Sequence, residues 1–214
     1  MSAASILDNF STYSGVLPVI AWLYNYKSLD KVLKIAGVFF LIAFLIDLIL
    51  ELMTMMKGVV NNMPLIHLFI VINILFFTAI YYYAFFKPSV KKAIIALAGL
   101  ALLIVIFNII FVEGIWEYPS LSITVLSVLL ICFSLAYFYQ LLNRQEFIHI
   151  EKQGLFWINS GVLFYFAINI FLFMLFKHFS KDEKQEYYMI HSTSNTIANI
   201  LYTVGLLCKP QKIT

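Results

Sequence analysis

The chain has 214 residues, of which 63% are hydrophobic and only 12% charged, with a formal net charge of +3 and a mean hydropathy of +0.93. A soluble domain is about half apolar and a quarter charged, so this chain has too little polar surface to cover a globule in water. Its Lys and Arg are scattered, with no basic helix or aromatic-basic platform, which argues against a nucleic-acid partner.

The apolar runs approach the roughly 20 residues that a bilayer-crossing helix needs. They predict an all-α integral membrane protein, a single seven-helix bundle over 1–214, with segments at 11–26, 33–56, 64–86, 91–112, 119–142, 154–177 and 187–208. The first is short and carries Pro18, which a membrane helix tolerates. Its leader, MSAASILDNF, lacks the basic region of a cleaved signal peptide, so the segment is expected to be retained. The second holds two carboxylates one turn apart, Asp47 and Glu51, and the third opens with His67. The fourth contains Asn108, with Glu113 and Glu117 just beyond its end. In the fifth and seventh, Cys132 and Cys208 are isolated thiols, expected to pack as small apolar residues. The sixth carries Asn159, Ser160 and Asn169. Where the seventh should be uniformly apolar it reads HSTSNTIANILY, and His191, Asn195 and Asn199 recur every four residues as one helical stripe. His149 and His178 fall in loops and are expected to be solvated. There is no internal repeat, no mid-membrane Gly or Pro pair and no GxxxG crossing motif, which lowers a transporter reading.

Charge bias predicts orientation. Loops one, three and five and the tail carry Lys27, Lys31, Lys34, Lys87, Lys91, Lys92, Arg144, Lys152, Lys209 and Lys212, which is ten of the fourteen Lys and Arg. The opposite side has Lys57, Lys177, Lys181 and Lys184 among acidic residues such as Asp8 and Glu113. The N-terminus is therefore expected outside and the C-terminus in the cytoplasm, in a bacterial cytoplasmic (inner) membrane.

At 1.5 Å per residue, this orientation puts Asp47 and Asn195 about 3 Å to the outer side of the midplane, and Glu51 and His191 about 9 Å. Asn108 falls about 8 Å out and His67 about 12 Å. These residues and Glu113 predict an outward-facing polar chamber, with the stripe of the seventh segment facing Glu51, His67 and Asn108. Buried ionisable groups in a membrane are costly and mark functional sites, whereas Asn and Ser often serve as interhelical glue. Two carboxylates a turn apart imply either a proton or a cation between them.

Two histidines and a carboxylate can hold a catalytic zinc, so His67, His191 and Glu51 are candidate metal ligands for an intramembrane hydrolase of a lipid amide or ester. No local motif fixes that set. Known intramembrane hydrolases related to alkaline ceramidases carry three histidines where this chain has two in its membrane segments, and a rhodopsin-like retinal site lacks its mid-helix lysine. A third alternative is a proton- or cation-coupled carrier exchanging through Asp47 and Glu51.

NNMPLIHLFIVINILFFTAIYYYAFF, FWINSGVLFYFAINIFLF and HSTSNTIANILYTVGLLCKP resemble stretches of small seven-helix proteins of Bacteroidota, found alone or as the N-terminal membrane part of sensor histidine kinases. Trp157, Asn159, Gly161, His191 and Asn195 match recurring positions of that group. The function of those positions is not settled for the group. Together with the outer polar layer and the N-out seven-helix order, the resemblance leads to the expectation of a sensor- or receptor-like module. It would bind a small ligand, lipid headgroup or cation through the polar-layer residues Asp47, Glu51, His67, Asn108, Glu113, His191 and Asn195. Its output would pass to a separate cytoplasmic signalling partner on the basic loops, and membrane lipids would surround it.

Overall fold

A computed structural model of the protein describes residues 3–55, 61–143, 150–178 and 180–208. The helices are α1 (Ala3–Ser14), α2 (Val16–Asn25), α3 (Lys31–Met55), α4 (Met63–Ala84), α5 (Pro88–Phe111), α6 (Ser120–Leu142), α7 (Gly154–Leu175) and α8 (Lys181–Leu207). Single 3-10 turns at Ile150–Lys152 and Phe176–His178 precede and follow α7. Five stretches, Lys31–Thr54, Met63–Ala84, Pro88–Phe111, Ser120–Leu142 and Gly154–Leu175, are long and apolar enough to cross a membrane. This is the signature of a multi-pass membrane protein.

Local chemistry explains the helix starts. The Asp30 carboxylate accepts the Leu33 amide at 2.8 Å and so satisfies a free N–H in the first turn of α3. Pro64 and Pro88 sit in the first turns of α4 and α5, where their missing N–H would have no helical partner anyway. The largest departure from expectation is at the N-terminus, where helix begins at Ala3 and is divided only at Gly15. The apolar count misses this stretch because Asp8 interrupts it. That aspartate accepts a hydrogen bond from Ser192 at 3.1 Å, which anchors a polar turn that hydropathy would discard. Likewise α8 begins at Lys181, a turn and a half before the predicted apolar start.

The helices close into a ring in the order α2, α3, α4, α6, α7, α8, with α1 also against α8. α5 packs outside this ring against α4 and α6, which also touch each other. Its outer face exposes Leu97, Leu100, Leu103, Ile106, Phe107 and Ile110, an apolar surface suited to lipid. Cys132, expected to pack inside, is exposed on α6.

One end of the ring is tightly filled by Leu33, Ala36, Ile80, Tyr81, Leu130, Ile158, Val162 and Leu206. Isolated glycines on different helices make the close crossings for which no GxxxG motif exists. Gly154 and Gly205 approach so closely that a Cβ on either would overlap the other's carbonyl, and Gly161 lies under the Tyr202 ring. At this end Lys31 sits 3.7 Å over Tyr83 and Lys91 lies 5.0 Å from Tyr82, so basic residues of two loops share an aromatic rim. Arg144, His149, Lys209 and Lys212 lie outside the described residues. His178 is exposed, as expected.

Candidate ligand-binding site

The opposite half of the ring encloses a cavity of about 280 Å³. α3 contributes Phe39, Phe40 and Asp47, α4 contributes Asn73 and Phe77, and α7 contributes Tyr165 and Phe173. From α8 come Tyr187, His191, Asn195, Asn199 and Tyr202, four turns of the polar stripe. The α2 residue Pro18, the α6 residues Ile123 and Leu126, and Tyr118 from the preceding loop also line it, among further apolar residues of α3, α4 and α7. Apolar and aromatic lining with a few convergent polar groups is the usual character of a small-molecule site.

Two rows of hydrogen bonds hold the stripe. Asn169 on α7 gives both amide protons away, to the Tyr165 carbonyl at 2.8 Å and to the Ser194 hydroxyl at 2.6 Å. Ser194 in turn donates to the His191 carbonyl at 2.8 Å. The Asn169 oxygen is therefore an acceptor, and His191 Nδ1, 3.2 Å away, must carry its proton towards it. The neutral ring then offers the Nε2 lone pair to the cavity. Aromatic faces fix the ring plane: Tyr187 is stacked at 5.8 Å, while Tyr165 and Phe173 meet it edge-on at 5.7 and 5.8 Å.

The second row answers what the stripe faces, and corrects the expectation that it faces Glu51, His67 and Asn108. Its partners are on α1. Ser192 donates to Asp8, Asn195 Nδ2 lies 2.9 Å from Ser11 Oγ, and Asn199 Nδ2 donates to Ser14 Oγ at 2.8 Å. Asp8 also lies within electrostatic reach of both Asp47 and His191. Asp8, Ser11 and Ser14 are three residues apart, so a helical polar stripe was present in the sequence. It was hidden because the predicted helix began only at residue 11.

Of the predicted site residues, the structure brings together Asp47, His191 and Asn195, and leaves the others elsewhere. Glu51 is half-buried on α3 and is not part of the cavity wall, which on that helix reaches Leu50. His67 is buried at the far side of α4, with Nε2 3.3 Å from the Glu117 carbonyl oxygen. Asn108 donates to Glu113 at 2.6 Å and to Ser122 at 2.8 Å, tying the end of α5 to the start of α6. Glu113 also accepts from the Leu121 amide at 3.3 Å, and so serves the first turn of α6. The turn between these helices closes at Gly114, whose φ of 73° suits a residue without a side chain.

The metal set His67, His191 and Glu51 is not assembled: among the described residues, no three His, Cys, Asp or Glu side chains are placed to hold one ion. The reason is rotational. His67 turns to the α5–α6 loop, while His191 is fixed against α7 inside the ring.

Further down, Asn159 belongs to a closed network. Tyr81 donates to Asn159 Oδ1 at 2.6 Å and lies 2.8 Å from Ser134 Oγ, and Asn159 Nδ2 reaches the Ser134 carbonyl at 3.2 Å. This joins α4, α6 and α7 beneath the cavity and acts as glue. Ser160 only bonds back to the Phe156 carbonyl. At the rim, burial pushes the Tyr118 phenol well above its ordinary range, so it remains a neutral donor 3.5 Å from the Tyr187 hydroxyl. Tyr118, Tyr165, Tyr187, Asn73 and Asn169 had no distinguishing sequence signal in a chain with 13 tyrosines and dispersed membrane asparagines.

No family model, curated protein or solved structure matches this chain.

Proposed function

We propose that the protein is a receptor-like module of a bacterial cytoplasmic membrane, crossing it seven times with the N-terminus outside and binding a small ligand in the cavity of its outer half. The observation that carries this reading is the cavity itself, whose wall joins a carboxylate on α3 to an imidazole on α8 across an aromatic interior. Orientation rests on the basic loops that share the filled end of the ring. α1 and α8 are bonded in parallel, residue 8 to 192 and residue 14 to 199, as first and seventh spans must be.

An occupant touching α3, α4, α7 and α8 together would change how these helices pack, since binding can shift the packing only through contacts that differ between two arrangements. A cytoplasmic partner on the loops carrying Lys27 to Lys34 and Lys87 to Lys92 would read that change. Native mass spectrometry of protein extracted gently from membranes tests the binding step. The expected result is a co-purified small molecule with wild type, lost in His191→Ala protein that still folds. Equal occupancy in both would overturn the assignment. Asp47-dependent flux into liposomes would replace the receptor with a carrier.

A further inference from the structure

The lining combines hydrogen-bond acceptors with a carboxyl group. Among the described residues Asp47 is its one carboxylate, and no Lys or Arg is part of the wall. Among the described residues no hydrogen bond or ion pair reaches the Asp47 carboxyl group, and Asp8 adds a second carboxylate within electrostatic reach. His191 cannot supply the missing positive charge without a second proton, because its Nδ1 proton is already directed at Asn169.

The asparagines are turned the same way. Asn73 directs Nδ2 at the Phe69 carbonyl at 2.8 Å, so its amide nitrogen points into its own helix. Asn199 must donate to Ser14 Oγ, because the Ser14 proton already goes to the Ser11 carbonyl at 2.6 Å. Each Oδ1 is left as an acceptor, alongside His191 Nε2. Tyr165 and Tyr202 present hydroxyls that can accept as well as donate. A carboxylate within apolar walls is costly unless it is neutralised or paired. The rings of Tyr165, Tyr187 and Phe173 pack around His191, and Phe39, Phe40, Phe77 and Tyr202 give the rest of the lining an aromatic floor.

We infer that the occupant is an organic ammonium compound, its charged nitrogen between Asp47 and the acceptor groups and its apolar body on the Phe39, Phe40, Phe77 and Tyr202 floor. This rests on the ligand-site reading above and names the ligand's chemical class. A bare metal cation is a poorer match, because the cavity is mostly aromatic and offers one carboxylate.

The test uses the full chain in detergent or nanodiscs and three probes of one shape: phenethylammonium, neutral 2-phenylethanol and anionic 3-phenylpropionate. Titration calorimetry should show the cation binding at least tenfold more tightly than the alcohol, and the anion weakest. Asp47→Asn should reduce the preference for the cation over the alcohol to about onefold, and Asp47→Glu should retain much of it. Equal binding of cation and alcohol to the native chain, or an undiminished preference in Asp47→Asn, overturns the ammonium assignment but leaves the ligand site standing. Binding of none of the three, by protein that unfolds cooperatively, overturns both.

Discussion

Asn169 is buried, contacts no cavity surface, and still determines what the cavity presents. Its side chain makes three hydrogen bonds that together orient the His191 ring and select its neutral tautomer. Asn73, by comparison, donates only to a carbonyl one turn back on its own helix. Asn169→Ala should therefore destabilise the protein by about 1 kcal/mol, from its two bonds to α8 at roughly 0.6 kcal/mol each. Asn73→Ala should cost less than about 0.5 kcal/mol, since the backbone carbonyl keeps its helical partner. Thermal unfolding in one detergent, with both variants side by side, checks the ordering, and a larger loss in Asn73→Ala would refute this account. Neither asparagine is distinguishable from the other in the sequence, because each is a lone amide in an apolar run. What separates them is the neighbouring helix.

The pairing of α1 and α2 with α8 shows the same dependence between whole helices. Hydropathy ranks the first segment weakest and the last as anomalously polar, and these two properties have one cause. Polar groups at positions 8, 11 and 14 meet those at 192, 195 and 199, and Asn25 closes the far end by donating to the Leu206 carbonyl at 2.9 Å. Each helix alone would expose unsatisfied groups to lipid, whereas the pair satisfies them. A double-mutant cycle with Ser14→Ala and Asn199→Ala should give a coupling of about 0.5–1 kcal/mol, the usual size of an interhelical membrane hydrogen bond. A cycle pairing Ser14→Ala with Asn73→Ala should give none. Additive losses in the first cycle would mean that the 2.8 Å contact contributes nothing to holding the helices together.

Across the molecule, the basic rim, the filled half of the ring and the cavity half follow one axis. If the basic rim is cytoplasmic, Ser89 lies inside and Trp116 outside, and both are exposed. In a chain with Cys132 and Cys208 changed to serine, a membrane-impermeant maleimide should label Trp116→Cys in intact cells and Ser89→Cys only after permeabilisation. The reverse pattern would invert the topology and place the cavity on the cytoplasmic side.

The five long apolar helices were legible in the sequence because hydropathy is a local property: α3 to α7 lie within a few residues of their predicted bounds. Position along the helix axes was legible for the same reason, since helical rise is constant, and it placed Asp47, His191 and Asn195 near a common level. Rotation about each helix axis was not. His67 and Asn108 were assigned to the same level but turn to the α5–α6 loop, so the expected polar layer divides into a cavity wall and a loop anchor. The partner of the α8 stripe also depended on tertiary contact, because α1 is distant in sequence and only closure of the ring brings it alongside. Composition and periodicity specify which residues a helix carries. Which neighbour each face meets is set by side-chain packing around the whole ring, through close crossings such as Gly154 against Gly205 that no single segment encodes.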